Sequence, residues 1–459
     1  MAGPRQDLIE GPIGRTLLLF AIPTLVANIL QSLNASINTI WIGRFLGETA
    51  LAATSNATNI VFLAFSALFG FGMAATILVG QHVGRRDIDA ARRAIGAAAA
   101  LFLGVSILIM LLGVALTDSL LHLMGTPAEA APLASAYLKM MLLVLPVSSI
   151  AMLIMMTLRA VGDAMTPLWF MILGIIVDAG LNPFLIAGIG PFPELGIVGS
   201  AVATLVSSVV SLIGMLIVVY GRDLPIRLRG PEFRYLRPQP ALLRLILGKG
   251  LLMGLQMLVM TTSGLVMVGL VNHAGVAAAA AYGVAFQLWN YIQMPSIAVG
   301  AAVSAMAAQN IGAGRWDRIG AITRGGLVYN MLLTGGLLAL LTLFDRPVLG
   351  LFLGPNSPAL PIAEHIQLIA GGSFLFSGMT MVLFGTARGN GAVVGPLIIL
   401  SIGMLACRIG FARLAQPWLG FDALWWAFPF GSVVVCALAW AYYAHGSWKR
   451  ITFAARTGP

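Results

Sequence analysis

Charged residues are scarce in this sequence. Asp, Glu, Lys and Arg make up 9% of its 459 residues, whereas 59% are hydrophobic and the mean hydropathy is +0.95. A water-soluble chain carries about 25% charged residues. The scarcity excludes a soluble globular protein, because so few charges cannot cover the surface of one. We therefore expect a polytopic membrane protein whose solvent is mostly lipid.

Metal-binding side chains are also few. The two cysteines, Cys407 and Cys436, lie in apolar runs and exclude a disulfide framework or a Cys-x-x-Cys motif. The five histidines lie near the ends of apolar runs, and none is spaced with a second metal ligand. Metal-assisted catalysis in a membrane needs clustered acids or histidines. We expect no cofactor, no metal centre and no enzyme activity, with a membrane-embedded transferase as the alternative.

Long apolar runs, in contrast, are abundant. Twelve stretches are long enough to cross a bilayer, and each is bounded by charges or by clusters of Gly and Pro. None shows the alternating pattern of a barrel strand, so α-helices must satisfy their backbone groups. We predict an all-α fold of twelve transmembrane helices, at 15–40, 51–80, 95–116, 137–158, 167–189, 196–220, 250–271, 280–308, 325–345, 365–386, 396–414 and 424–444.

The net charge of +10 indicates the topology of the chain. If the N-terminus is cytoplasmic, only five of the 26 basic residues fall on the opposite side, namely Arg44, Lys139, Arg346, Arg408 and Arg413. Cytoplasmic loops carry such an excess of Lys and Arg. Arg also far outnumbers Lys, which is typical of a GC-rich bacterial genome. We expect a bacterial inner-membrane protein with both termini in the cytoplasm, whose basic charges meet anionic lipid rather than nucleic acid.

The two halves of the sequence repeat each other. When the chain is aligned with itself, Gly47 superposes on Gly275, and the match continues without a gap as far as Asp89 on Asp317. After a slip of one position, Pro167 superposes on Pro396. Each half holds six predicted helices. Because six is even, both halves enter the membrane from the same side, and a pseudo-twofold axis along the membrane normal relates them.

The repeat defines the expected domains. We predict an N-terminal lobe at 1–220, a cytoplasmic linker at 221–248 that is rich in Pro and Arg, and a C-terminal lobe at 249–459. The two six-helix bundles are expected to surround one central cavity. Since a single chain supplies both lobes of that cavity, we expect a monomer.

Four short motifs stand in an informative order. They are NTIWIG at 38–43, QHVG at 81–84, LNPFLI at 181–186 and QNIGAG at 309–314. In order and spacing these motifs resemble the MATE family of multidrug and toxic compound extrusion antiporters, over nearly the whole chain. The resemblance implies a twelve-helix exporter of two bundles, which expels small organic cations or drugs and is driven by inward H⁺ or Na⁺.

One carboxylate lies in the middle of a predicted span. A fifth helix that starts near Pro167 places Asp178 about 16 Å deep, close to the bilayer midplane. A charge at that depth costs roughly 2.5–3.5 kcal/mol, so it indicates a function. Asn182 lies one turn further on the same face, and Pro183 removes a backbone donor beside it. We predict an H⁺ or Na⁺ site here; the alternative is an Asp that only bonds a neighbouring helix.

The resemblance adds two residues to this site. In the family, the cation site of the first lobe draws on an Asp in helix 1, an Asn and an Asp four apart in helix 5, and a Thr in helix 6. Matched by motif, this chain has Asn38, Asp178, Asn182 and Thr204. It keeps one carboxylate where the family has two, which weakens the case for Na⁺. A lone buried acid suits H⁺, because burial penalises its charged form.

The second lobe carries no acid near the midplane, so we expect no second cation site there. Five side chains of the seventh and eighth helices are candidates for the substrate cavity: Gln256, Gln287, Trp289, Asn290 and Tyr291. The alternative is packing between helices for the three amides, and a lipid-facing position for the two aromatic residues. Arg408, near the outer end of the eleventh helix, is expected to pair with Asp422 or to extend to the membrane interface.

A lipid-linked precursor flippase of related architecture is the nearest competing function. Such a protein is expected to have helices beyond twelve and a strongly cationic cavity, and the sequence shows neither. A channel is a further possibility, but a repeat with a buried acid fits alternating access better.

Overall fold

The structure, a computed structural model, describes residues 7–237, 239–354 and 356–451. Within these ranges the chain is helical and contains no strand. The helices are α1 Ile13–Gly84, α2 Ile88–Leu123, α3 Ala131–Ala160, α4 Met165–Ala187, α5 Ile197–Gly221, α6 Pro240–Asn272, α7 Val276–Gly312, α8 Trp316–Leu343, α9 Asp345–Leu353, α10 Leu360–Ala370, α11 Ser373–Gly389, α12 Val394–Leu400, α13 Arg408–Leu414, α14 Gln416–Leu419 and α15 Asp422–His445. Two short 3₁₀ helices, Gly230–Leu236 and Ser447–Arg450, and a π-helical turn, Ser401–Cys407, complete the described chain.

The described elements contain twelve membrane spans. Helix α1 has 72 residues and a non-helical Gly47, with φ 79° and ψ −169°. Its length of about 108 Å is far more than one span needs, so it contains two spans that meet at this glycine. Helices α10 and α11 form one span bent by 43°, and Val394–Leu414 forms another through the π turn. The predicted twelve-helix, all-α architecture is confirmed.

The repeat is visible in the backbone at the ends of helices. Gly47 and Gly275, which the self-alignment pairs, both have positive φ, of 79° and 103°. Gly162 and Gly391, which are paired in the same register as Pro167 and Pro396, have φ of 93° and 80°. A residue with a Cβ is strained in that region, so the same turn requires glycine in both halves.

The described chain divides into two compact units. Unit 1 contains Val26–Gly254, and unit 2 contains Asp7–Leu25 together with the chain from Leu255 onward. The start of the described chain belongs to unit 2 because Asn310 donates a hydrogen bond of 2.8 Å from Nδ2 to the carbonyl oxygen of Leu8.

These units differ from the predicted lobes in two segments. The sequence places Asp7–Leu25 in the N-terminal lobe and 249–254 in the C-terminal lobe, and the structure reverses both assignments. The early part of α6 lies in unit 1 because glycines bring it close to α1. A Cβ on Gly70 would overlap the carbonyl oxygen of Gly250 and would lie 2.6 Å from the nitrogen of Gly254. Small residues allow this close approach of membrane helices.

The predicted linker, 221–248, is ordered by contacts with α2. Nη1 of Arg92 bonds Oε1 of Glu232 at 2.6 Å, and the hydroxyl of Tyr235 donates to Oδ1 of Asp89 at 2.5 Å. Both bonds hold the first 3₁₀ helix against the start of α2, which is the end predicted to face the cytoplasm. The last residues of the predicted linker already belong to α6.

A Gly70→Ala substitution is expected to destabilise unit 1, because its methyl group would overlap backbone atoms that cannot rotate away. The matched control is Gly104→Ala in α2, where a Cβ meets no atom within 4 Å. Ala stabilises an open helical position by roughly 1 kcal/mol over Gly. Thermal unfolding of the purified variants should therefore give a lower Tm for Gly70→Ala and an equal or higher Tm for Gly104→Ala. Equal Tm values would contradict the close α1–α6 contact.

Candidate functional site

The buried acid of unit 1 lies in the middle of α4. Asp178 is 1% exposed, and Asn182, one helical turn later, is fully buried. Helix α4 starts at a defined place because Asp163 caps it: Oδ1 of Asp163 accepts from the nitrogen of Thr166 at 2.9 Å, and Oδ2 accepts from its hydroxyl at 2.6 Å. The start of the helix fixes the depth and the face of Asp178.

The carboxylate of Asp178 accepts hydrogen bonds from side chains on three helices. On Oδ2, it accepts from Nδ2 of Asn34 at 2.9 Å and from Nδ2 of Asn38 at 2.8 Å, both on α1. On Oδ1, it accepts from the hydroxyl of Thr204 on α5 at 3.2 Å and from Nδ2 of Asn182 on α4 at 3.5 Å. Asn182 also donates to Oδ1 of Asn38 at 3.0 Å. The structure thus brings together all four residues that the sequence predicted for the cation site.

Asn34 belongs to this network and was not among the predicted residues. It precedes Asn38 by one helical turn, so the two amides lie on the same face of α1. That four-residue spacing is visible in the sequence and could have identified Asn34 as part of the site. The side-chain oxygens of Asn34 and Asn182 are buried and accept no hydrogen bond. The network therefore holds unused acceptors beside the acid.

Every side-chain partner of the carboxylate is a neutral donor. If Oδ2 takes up a proton, it becomes a donor that faces two N–H groups. At least one amide must then turn to present its oxygen. An amide can make this change by a half-turn about its last side-chain bond, which exchanges the positions of its oxygen and its nitrogen. A change in the charge of Asp178 can therefore change the hydrogen bonds between α1 and α4.

The cavity candidates of unit 2 fall into two groups. Gln256 is buried, donates from Nε2 to the carbonyl oxygen of Val393 at 3.0 Å and accepts from Arg388 at 2.6 Å. These contacts hold Gln256 inside unit 2, and its assignment to a substrate cavity stays a prediction. Trp289 is also buried, and its Nε1 donates to Oε1 of Gln367 at 2.8 Å.

The remaining candidates are more accessible. Gln287 and Asn290 are exposed, and Tyr291 is half-buried on the same stretch of α7. Gln287 donates to the hydroxyl of Tyr291 at 3.3 Å. Their assignment to a substrate cavity stays a prediction.

Arg408 does not pair with Asp422, so that expectation was wrong. Asp422 instead accepts from Nε2 of His365 at 3.1 Å. Arg408 is 8% exposed, so it does not extend to the interface either. Its guanidinium lies 4.8 Å from the ring centroid of Phe428.

These features define a class of protein. Twelve spans among the described residues, built as two sequence repeats, with a mid-helix carboxylate held by neutral donors, are the architecture of a secondary transporter. The sequence model of the MatE family matches this chain twice, at 23–184 and at 253–414. The two matched segments are equivalent in the repeat. The chain belongs to the MatE family, and the predicted resemblance is confirmed.

Similar proteins agree with this assignment. A probable multidrug resistance protein of Bacillus subtilis, YoeA, is 30% identical over 97% of this chain and 96% of its own length. An FAD transporter of Shewanella oneidensis is 28% identical over 76% of each chain. A solved outward-facing structure of a multidrug resistance MATE transporter shares the fold, with a TM-score of 0.88 and 21% identity over 98% of this chain and all of that one. The chain is thus a multi-pass multidrug efflux transporter of small molecules, and not an enzyme.

The two buried acids of unit 1 are expected to respond differently to mutation. Asp178→Asn should leave the Tm nearly unchanged, because an amide can still bond its neutral neighbours. Asp163→Ala should lower the free energy of unfolding by about 1 kcal/mol, because the N-terminus of α4 loses its cap. Thermal unfolding in detergent measures both. A large loss of stability in Asp178→Asn would mean that this acid serves packing, as in the alternative that the sequence left open.

Proposed function

We propose that this protein is a cation-coupled antiporter that exports organic cations and drugs by alternating access, and that Asp178 carries the coupling ion. The observation that supports this most is the network of Asp178: one buried carboxylate, held by neutral side chains from three helices. A fixed structural charge in a membrane would be expected to have an opposite charge beside it.

H⁺ is the coupling ion that this geometry favours. Na⁺ requires several hard oxygen ligands at once. Three of the four neighbours of Asp178 are asparagines, and in this conformation Asn34 and Asn38 present their nitrogens to the carboxylate. Na⁺ binding would require several amides to turn together, whereas protonation requires one. The single carboxylate also balances a single proton without residual charge.

The transport cycle follows from differential affinity. In the outward-open state Asp178 takes up H⁺, an amide turns, and the packing between α1 and α4 changes. Substrate affinity falls, and the substrate leaves to the outside. Loss of the proton toward the cytoplasm restores the ionised network. By thermodynamic linkage, bound substrate must lower the proton affinity by the same factor.

We place the protein in the bacterial inner membrane, as a monomer with both termini in the cytoplasm. The termini, at 1–6 and 452–459, lie outside the described residues, and the placement is supported by the distribution of basic residues. Both repeats of the transporter lie in one chain, which supports the monomer.

Transport of a fluorescent organic cation, ethidium, into proteoliposomes tests the coupling ion. We expect an imposed pH gradient to drive uptake and an imposed Na⁺ gradient to drive none. Asp178→Asn should reduce gradient-driven uptake to the level of empty liposomes, because this side chain no longer binds and releases a proton.

The matched control is Asp118→Asn, which removes an exposed acid of the same unit. It should transport like the wild type. If Na⁺ alone drives uptake, the coupling ion is Na⁺, with a site at Asn38, Asp178, Asn182 and Thr204. Normal pH-driven uptake by Asp178→Asn would refute the role of this residue.

Removal of a donor should weaken coupling. Asn34→Ala deletes the hydrogen bond to Oδ2 of Asp178 and one of the two amides of α1 that can turn. Uptake of ethidium driven by the pH gradient should therefore fall below the wild-type rate. Asn28→Ala, in the same helix and outside the network, should transport like the wild type. Equal uptake by Asn34→Ala and the wild type would contradict the proposed role of the donors.

Flavin adenine dinucleotide is a second candidate substrate, because the Shewanella oneidensis relative is named for its transport. Inhibition of ethidium uptake by added FAD, measured in the same proteoliposomes, distinguishes the two substrate classes. Inhibition at micromolar FAD would include dinucleotides in the substrate range, and no inhibition would leave organic cations as the proposed class.

A further inference from the structure

Unit 2 carries a buried cation at the place where unit 1 carries its buried acid. The register that pairs Pro167 with Pro396 also pairs Gly174 of α4 with Gly403 of the π turn. Beyond this glycine the same register pairs Asp178 with Cys407. A π turn holds one residue more than the α-helical path, and the extra residue brings Arg408 to the position equivalent to Asp178.

The helix that packs beside each charge supports the same equivalence. Gly196 before α5 and Gly420 before α15 have nearly the same backbone angles, with φ of 55° and 57° and ψ of −134° and −137°. When these two glycines are paired, Phe428 falls at the position of Thr204. Thr204 bonds Asp178, and Phe428 lies against Arg408. The repeat therefore keeps the site and reverses its charge.

Among the residues described from 255 onward, no carboxylate pairs with Arg408. Its one hydrogen bond runs from Nη2 to the hydroxyl of Ser432 at 3.4 Å, and Nε is buried and has no partner. The four acids of this range have other partners. Asp317 pairs with Arg315, Glu364 with the side chain of Arg346, and Asp422 with His365. Asp345 accepts from the backbone nitrogen of Arg346. An uncompensated buried charge is costly, so it indicates a ligand of opposite charge.

Two further donors without acceptors lie in the same aromatic cluster. The hydroxyl of Tyr282 and Nε2 of Gln367 are buried and have no hydrogen-bond partner. The Tyr282 ring centroid lies 6.1 Å from that of Phe428, and Gln367 bonds Trp289, whose ring lies 4.9 Å from the same Phe428. Nε of Arg408, the hydroxyl of Tyr282 and Nε2 of Gln367 are thus three buried donor atoms without an acceptor in one aromatic cluster.

We infer that Arg408, Tyr282 and Gln367 form an anion-binding site in unit 2, which takes the carboxylate or phosphate group of an aromatic substrate. Acidic oxygens would accept from the three donors, and the charge of the ligand would balance Arg408. The rings of Tyr282, Trp289 and Phe428, which are buried and pack against one another, make the surroundings of these donors apolar and aromatic. The inference rests on the proposed function and extends its substrates from cations to zwitterions and organic acids.

Direct binding to the full-length purified protein in nanodiscs, without any ion gradient, tests the site. Four probes share one ring system: 1-naphthoate, 1-naphthyl phosphate, neutral 1-naphthalenemethanol and cationic 1-naphthylmethylammonium. We expect at least one of the two anions to bind more tightly than the alcohol. Arg408→Gln should weaken binding of that anion by at least about tenfold and leave the cation unchanged. The anion that responds identifies carboxylate or phosphate as the preferred group.

Three variants separate an anion site from a packing role. Arg408→Lys keeps the charge and should retain most of the anion affinity. Tyr282→Phe keeps the ring, removes one donor and should weaken the anion by about threefold to tenfold, which tests the site even if Arg408→Gln does not fold. Arg413→Gln, which removes an exposed arginine of the same helix, should bind like the wild type.

The inference is overturned if Arg408→Gln and Tyr282→Phe bind both anions as the wild type does. It is also overturned if these variants lose all four probes equally, because that result describes a packing role. This binding assay uses no ion gradient, and the test of Asp178 measures gradient-driven uptake of a cation. The anion site and the coupling role of Asp178 can therefore fail independently.

Discussion

The carboxylate of Asp178 is an ion without a counter-ion in the apolar part of unit 1. Its charge is tolerated because two asparagines and one threonine point neutral donors at it. These donors come from α1 and α5, so the positions of two helices depend on one charge on a third. Because all of these partners are neutral, no counter-charge lies beside the carboxylate, and an amide can turn to offer either its nitrogen or its oxygen.

The two halves of the repeat share backbone turns but differ in the side chains inside each bundle. Glycines with positive φ recur at equivalent turns, because the chain must reverse direction at the same places in both halves. Side chains inside the two bundles are under no such constraint. Asp178 is surrounded by amides and a hydroxyl, and Arg408 by aromatic rings. One scaffold has thus produced a polar acidic centre in unit 1 and an aromatic basic centre in unit 2.

Much of the fold was predictable from the sequence, since membrane spans are long, apolar and bounded by charge. The four-residue spacing of Asp178 and Asn182 predicted that they share a face, whereas Asn38 and Thr204 were predicted only through the resemblance to the MATE family. Asn34 was missed even though it obeys the same spacing. The burial of Arg408 was not predictable, because it depends on a π turn that shifts the register of its helix by one residue. The contacts of Gln256 with Arg388 and Val393 likewise require the tertiary arrangement of α6 and α11.

The segment Asp7–Leu25 is synthesised long before the rest of its unit. Leu8 bonds Asn310, which lies 302 residues further along the chain. At roughly 5–20 residues per second, about 15–60 s of translation separate the two. During that time the carbonyl oxygen of Leu8 lacks the donor that it has in the folded protein. The start of α1 can therefore join unit 2 only after Val26–Gly254 of unit 1 has been synthesised.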